Sequence, residues 1–113
     1  MIEAHRLMER RPTHPGRFIQ QDILEEYSLT QDQLAQRLRV SRLTINELVN
    51  GKRALSAPMA IRLARLTGQS PEFWLGLQRA VDLWEAWNAP DSSVLEEIQP
   101  LYEPESGDDD SSS

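Results

Sequence analysis

The sequence predicts an all-α fold of five helices followed by an acidic tail. Three observations lead there. Apolar residues recur at three- and four-residue spacing from residue 15 to residue 88, the period of a helix with one buried stripe. No stretch alternates as a half-buried strand would, and no internal repeat is visible. Charge is divided along the chain: residues 1–89 hold all 12 Lys and Arg against 10 acids, a balance of +2, while residues 90–113 hold 8 acids and no base. The net charge of −6 therefore hides a mildly basic body with an acidic end.

Each element has its own justification. Residues 1–13 are polar, with Arg6, Arg10 and Arg11, and read as a loose or partly helical N-terminal arm. The folded domain is placed at 14–89. Pro15 suits a first helical turn, where its missing N–H would be unpaired anyway, and Phe18, Ile19, Ile23, Leu24 and Tyr27 give helix one over 15–27. Thr30 and Gln33 have capping-box spacing, so each can satisfy a free backbone donor beside the other. Leu34, Ala35 and Leu38 are the buried stripe of the helix they open. Ser41 caps a third helix, whose inner face is Ile45, Leu48 and Val49 and whose left-handed stop is Gly51. Ser56 caps a fourth, with Pro58 in its first turn, Met59, Ala60, Leu63, Ala64 and Leu66 inside, and Gly68 as its stop. Ser70 and Pro71 open a fifth, ended near Asn88 by Pro90. On helix five, Phe73, Leu77, Ala80 and Trp84 form the expected core stripe, and Trp74, Val81 and Trp87 widen it sideways. An apolar surface broader than one core stripe suggests a second partner, so the dimer interface is assigned to Trp74, Val81, Trp84 and Trp87, the other reading being that all of them are core. Residues 90–113, rich in Ser, Asp, Glu and Pro with short apolar patches at Val94-Leu95-Ile98 and Leu101-Tyr102, read as a mostly disordered tail. That tail either aids solubility or competes with phosphate for basic residues of the body.

The second and third helices carry the functional signal. They are short, joined by a turn at Arg39-Val40, and buried there by Val40 and Ile45, with small Ala35 at the crossing: helix-turn-helix geometry. Any solvent-facing helix carries Arg, Thr and Asn. The weight lies in the conjunction of capping box, small residue, turn length, second cap and terminal glycine. The residues left outward on the third helix fit the major groove of DNA. Arg42 can bind guanine bidentately and Asn46 can serve adenine, while Thr44 can use its hydroxyl or methyl and Leu43 can pack against a thymine methyl. Gln31, Ser41, Lys52 and Arg53 are assigned to phosphate, Gln31 with a helix dipole behind it. Glu47 would repel phosphate, and either reads cytosine or pairs with a neighbouring base.

Other chemistries are poorly supplied. There is no cysteine, and His5 and His14 are the only histidines. Neither has metal-ligand spacing, and His14 before Pro15 reads as part of a turn. Gly51-Lys52-Arg53 is a helix stop followed by charge, not a phosphate loop. Asp22, Glu25 and Glu26 read as a solvated face. No enzyme activity, cofactor or metal is expected. No apolar run approaches the roughly 20 residues of a membrane span, and the N-terminus lacks the apolar stretch of a signal peptide, so a cytoplasmic protein is expected.

The stretch "TQDQLAQRLRVSRLTINELVNGKR" at 30–53 resembles the lambda-repressor-like helix-turn-helix domain. More narrowly, "HPGRFI" at 14–19, "INELVNGKRALSAPMAIRLARLTGQSPEFWLGLQ" at 45–78 and "AVDLWEA" at 80–86 resemble the HigA-type antitoxins. "SPEFWLGLQ" is the most specific of these. The resemblance implies a five-helix repressor-like bundle, a homodimer on palindromic operator DNA, and a partner that is a HigB-like ribonuclease toxin. It places Gln31, Arg42, Leu43, Thr44 and Asn46 at DNA-facing positions, and it marks no toxin-contacting residue. The acidic tail is outside the family pattern. Two alternatives stay open: a stand-alone transcription factor of the same fold, and a protein-binding module whose helix-turn-helix no longer touches DNA.

Overall fold

A computed structural model describes residues 10–102. Among them it has helices and no strands. Helix α1 is an α-helical turn, Pro15–Phe18, that runs into a π-helical stretch, Ile19–Glu25. Then come α2 (Gln31–Leu38), α3 (Arg42–Val49), α4 (Ala57–Thr67), α5 (Pro71–Trp87) and a 3-10 turn, Ser92–Glu97. α2 packs on α3, α4 on α5, and α1 lies across α3.

The caps sit where the small polar residues announce them. Thr30 Oγ1 accepts from Gln33 N–H at 3.1 Å while Gln33 Oε1 accepts from Thr30 N–H at 2.9 Å, a complete capping box. Ser41, Ser56 and Ser70 accept from the backbone N–H of Thr44, Met59 and Phe73. His14 caps α1: its Nδ1 accepts from Gly16 N–H at 2.9 Å. Gly16 itself is required by the α1–α3 crossing, because a Cβ there would stand 1.9 Å from the Leu48 carbonyl oxygen.

Helix one differs from the expected regular helix. It widens to i→i+5 bonding, and its buried residues Ile19, Ile23 and Leu24 are spaced four and five apart, as that wider turn favours. It also stops earlier. Ser28 takes a left-handed φ of 53°, and Tyr27, expected in the buried stripe, is 69% exposed. Leu66, expected inside α4, is likewise at the surface.

The core is built from Ile19, Leu34, Ile45, Leu48, Leu63 and Trp74 with their neighbours. Here the reading of α5 is corrected. Its fully inward line is Trp74, Gln78 and Val81, whereas Phe73, Leu77, Ala80 and Trp84 are only half-buried. Trp74 and Val81 are 2% and 1% exposed within one chain, so they have no surface left to give to a second copy. Their assignment to a dimer interface falls on that ground. Trp84 and Trp87 keep part of their surface, although the Arg11 guanidinium lies 5.8 Å from the Trp84 ring centroid and pairs with Glu85 at 2.9 Å. That pair ties the end of the N-terminal arm to α5, and the rest of the arm, residues 1–9, lies outside the described residues. At the other end residues 92–97 of the tail form the 3-10 turn, with none of its residues buried. Residues 103–113 lie outside the described residues.

Candidate nucleic-acid interface

The turn between α2 and α3 closes on a non-glycine left-handed residue, Arg39, with φ 61°. That conformation lets Val40 N–H return to the Ala35 carbonyl at 3.0 Å, an i→i+5 closure that ends α2 abruptly. Two cations cover the last carbonyls of α2: Arg39 donates to Gln36 O at 3.0 Å and Arg62, from α4, donates to Leu38 O at 2.7 Å. These bonds set the angle at which α3 leaves the turn.

Ile45 and Leu48 are fully buried and hold α3 against the core. Its opposite face carries Arg42, Leu43 and Asn46, all exposed, with Thr44 partly covered. Arg42 makes no hydrogen bond or ion pair with the described residues, and Leu43 is 61% exposed, large for a leucine with no neighbour to cover it. Ser41 and Thr44 share a hydroxyl contact of 3.0 Å, so the capping group and its neighbour are already oriented.

Asn46 Nδ2 donates to Gln31 Oε1 at 3.1 Å, which bridges α3 to the first residue of α2. The consequence is a division of labour. Asn46 has two amide hydrogens and a carbonyl oxygen, so giving one hydrogen to Gln31 leaves the donor–acceptor pair that adenine requires. In that bond Gln31 uses its oxygen and not its own NH₂.

The loop after α3 is equally determined. Gly51 N–H reaches Leu48 O and Lys52 N–H reaches Glu47 O at 2.8 Å, the paired bonds of a Schellman stop, with Gly51 at φ 71°. Lys52 is thereby thrown outward. Arg53 turns back, and its guanidinium meets Glu47 at 2.6 Å. Of the two expectations for Glu47, the pairing with a neighbouring base is the one realised. The bridge offsets the charge of Arg53, and leaves Lys52 as the loop's unpaired cation among the described residues.

A cleft of about 470 Å³, lined by Phe18, Asp22, Leu29, Arg37 and Phe73 among others, takes no residue from α3, and a second of about 490 Å³, lined by His14, Arg17 and Asn50 among others, reaches α3 only at Val49. Among the described residues no cluster of three or more His, Asp or Glu could hold a metal ion, and no helix is long and apolar enough to cross a membrane. Sequence reasoning found Gln31 and Asn46 separately. It missed their bond, because a contact between side chains 15 positions apart has no local signature.

A family model described as helix-turn-helix matches residues 21–74. Antitoxin HigA-1 of Vibrio cholerae serotype O1 is 43% identical over 97 residues, which cover 86% of this chain and 90% of that protein. Among solved structures, the Pseudomonas aeruginosa antitoxin HigA with the higBA promoter superposes with a TM-score of 0.75 at 39% identity, covering 81% of this chain and all of that one. Antitoxin GraA in complex with its operator superposes equally well, at 33% identity over 83% of this chain and 95% of its own. The likeness runs through the helix-turn-helix and on into α5, and the chain belongs to the HigA antitoxin family of helix-turn-helix proteins.

Proposed function

We propose that this chain is the antitoxin and autorepressor of a two-gene toxin–antitoxin operon: a homodimer that binds a palindromic operator in its own promoter and neutralises a HigB-like ribonuclease. The observation that carries the DNA-binding half is the outward face of α3, with Arg42 uncommitted and Asn46 held by Gln31. Relatives with this fold have been seen on promoter and operator DNA, which supports the same target here. Arg42, Leu43, Thr44 and Asn46 read base edges. Gln31, Ser41 and Lys52 hold phosphate, and Arg53 contributes what its pairing with Glu47 leaves. The 34 Å repeat of one DNA turn sets the distance between the two recognition helices. The role toward a toxin rests on the family and on no residue of this chain.

The test is binding of the purified protein to its own upstream DNA and to scrambled DNA across a salt series. Selective binding with a two-half-site footprint, falling linearly on logarithmic axes with salt, is the expected result. Equal affinity for both DNAs overturns the repressor reading. Co-purification with the product of the neighbouring gene, and loss of that product's ribonuclease activity in the complex, checks the antitoxin half.

A further inference from the structure

Gln78 is a buried polar side chain in the middle of the inward line of α5, 7% exposed between Trp74 and Val81. Leucine at this position would continue the apolar line. Burying an amide there costs free energy unless its hydrogen bonds are made. Both ends are bonded: Oε1 accepts from Leu55 N–H at 2.8 Å, and Nε2 donates to Asp82 Oδ1 at 2.9 Å. The Asp82 bond fixes which way the amide faces. The Leu55 bond reaches 23 positions back, into the loop between α3 and α4. That loop carries Lys52 and Arg53. It is held near its start by Lys52 N–H on Glu47 O and by Arg53 on Glu47, and Leu55 is its last residue before Ser56 caps α4.

We infer that Gln78 is the positioning residue for the phosphate-contacting loop: from the far side of the core it clamps Leu55 and so holds Lys52 at the height of the DNA backbone. Gln78 touches no nucleic acid itself. The inference rests on the DNA-binding reading above and adds to it a line of force from α5 to the loop. It also gives the "LGLQ" end of the most specific stretch of the chain a task that core packing does not explain.

The experiment measures binding of the full-length protein to its own upstream DNA across a salt series, for wild type, Gln78→Leu, Lys52→Ala and the double variant. Losing one phosphate contact removes about 0.9 from the salt slope, which is about eightfold in affinity at 0.1 M salt. Gln78→Leu is expected to lose about that much, and the double variant to bind no more weakly than Lys52→Ala alone. Discrimination between the operator and a single-base variant of it is expected to stay at the wild-type ratio, since base readout is untouched. Wild-type slope and affinity in a folded Gln78→Leu protein, while Lys52→Ala flattens the slope, overturns the inference and leaves the DNA-binding reading standing. A loss that is uniform across the salt series assigns Gln78 to stability alone and also overturns it. An unchanged slope in Lys52→Ala sinks the loop's contact with phosphate, and the inference with it. Should Gln78→Leu not fold, Gln78→Asn, whose amide stops one methylene short of Leu55, carries the same expectations and the same refutations.

Discussion

Arg42 stands at the first helical position of α3 with no partner among the described residues to give up on binding. Its replacement therefore reads out recognition with little effect on the fold. Arg42→Ala is expected to weaken operator binding by about 1–3 kcal/mol and to relax preference at one base position, as measured against a panel of single-base operator variants. A flat profile across the panel would show that the wrong face has been assigned. Arg53 is the instructive contrast. By type and position it looks equivalent to Lys52, yet Glu47 holds it at 2.6 Å. Which of two adjacent cations stays unpaired depends on where a glutamate six residues upstream points, and residue type cannot carry that information.

At the scale of the element, α1 is the most demanding piece. Its first turn passes so close to the end of α3 that Gly16→Ala would drive a methyl into the Leu48 carbonyl. The neighbour is backbone and cannot swing aside, so the cost is expected near the upper end for an inserted methyl, about 3 kcal/mol. Thermal melts should show a fall of more than about 10 °C in Tm. A small shift would mean that α1 slides freely on α3. The same turn carries a pH dependence. Burial and the nearby Arg11 hold the His14 imidazole below its ordinary pKa, partly offset by Glu85 and Asp82. Its Nδ1 must also stay unprotonated to cap Gly16. The unfolded chain then binds this proton at a higher pH than the folded one. The stability contributed is whole above about pH 6.5 and is lost as pH falls below that through the folded pKa. Melts at pH 7.5 and pH 5.5 should differ in that direction, and His14→Asn, which keeps a capping oxygen without the titration, should remove most of the difference. The element scale is also where the reading of α5 went out of phase. Taking only apolar residues, the stripe Phe73–Leu77–Ala80–Trp84 is the continuous one. The real inward line runs through a glutamine, and a pattern of hydrophobicity alone cannot see a polar group whose bonds are made inside the core.

For the whole molecule, charge is the quantity with consequences. The body to residue 89 carries +2 and the remaining residues −8. A tail of that charge would compete with phosphate only where it comes within a Debye length of the basic residues, about 10 Å at 0.1 M salt. Truncation after Ala89 is expected to strengthen binding to random DNA at low salt, with the gain vanishing at high salt. Identical affinities for random DNA before and after truncation would reduce the tail to a solubilising end. The surface available to a second copy is also a whole-molecule property. With Trp74 and Val81 inside the chain, a dimer through α5 would have to use Trp84, Trp87 and the 49%-exposed Leu83.

What the sequence determined by itself was the punctuation and the class. Thr30, Ser41, Ser56, Ser70, Gly51 and Gly68 act on backbone groups two to four residues away, so their effect is local and can be read without a structure. The helix-turn-helix and the outward residues of α3 follow from those caps and the helical period. Tertiary structure alone decided the widened α1, the phase of α5, the Gln31–Asn46 bridge and the Gln78 clamp. Each of these depends on side chains or helix axes brought together from distant positions, where the energy of contact is set by shape and by polar groups satisfied across the core.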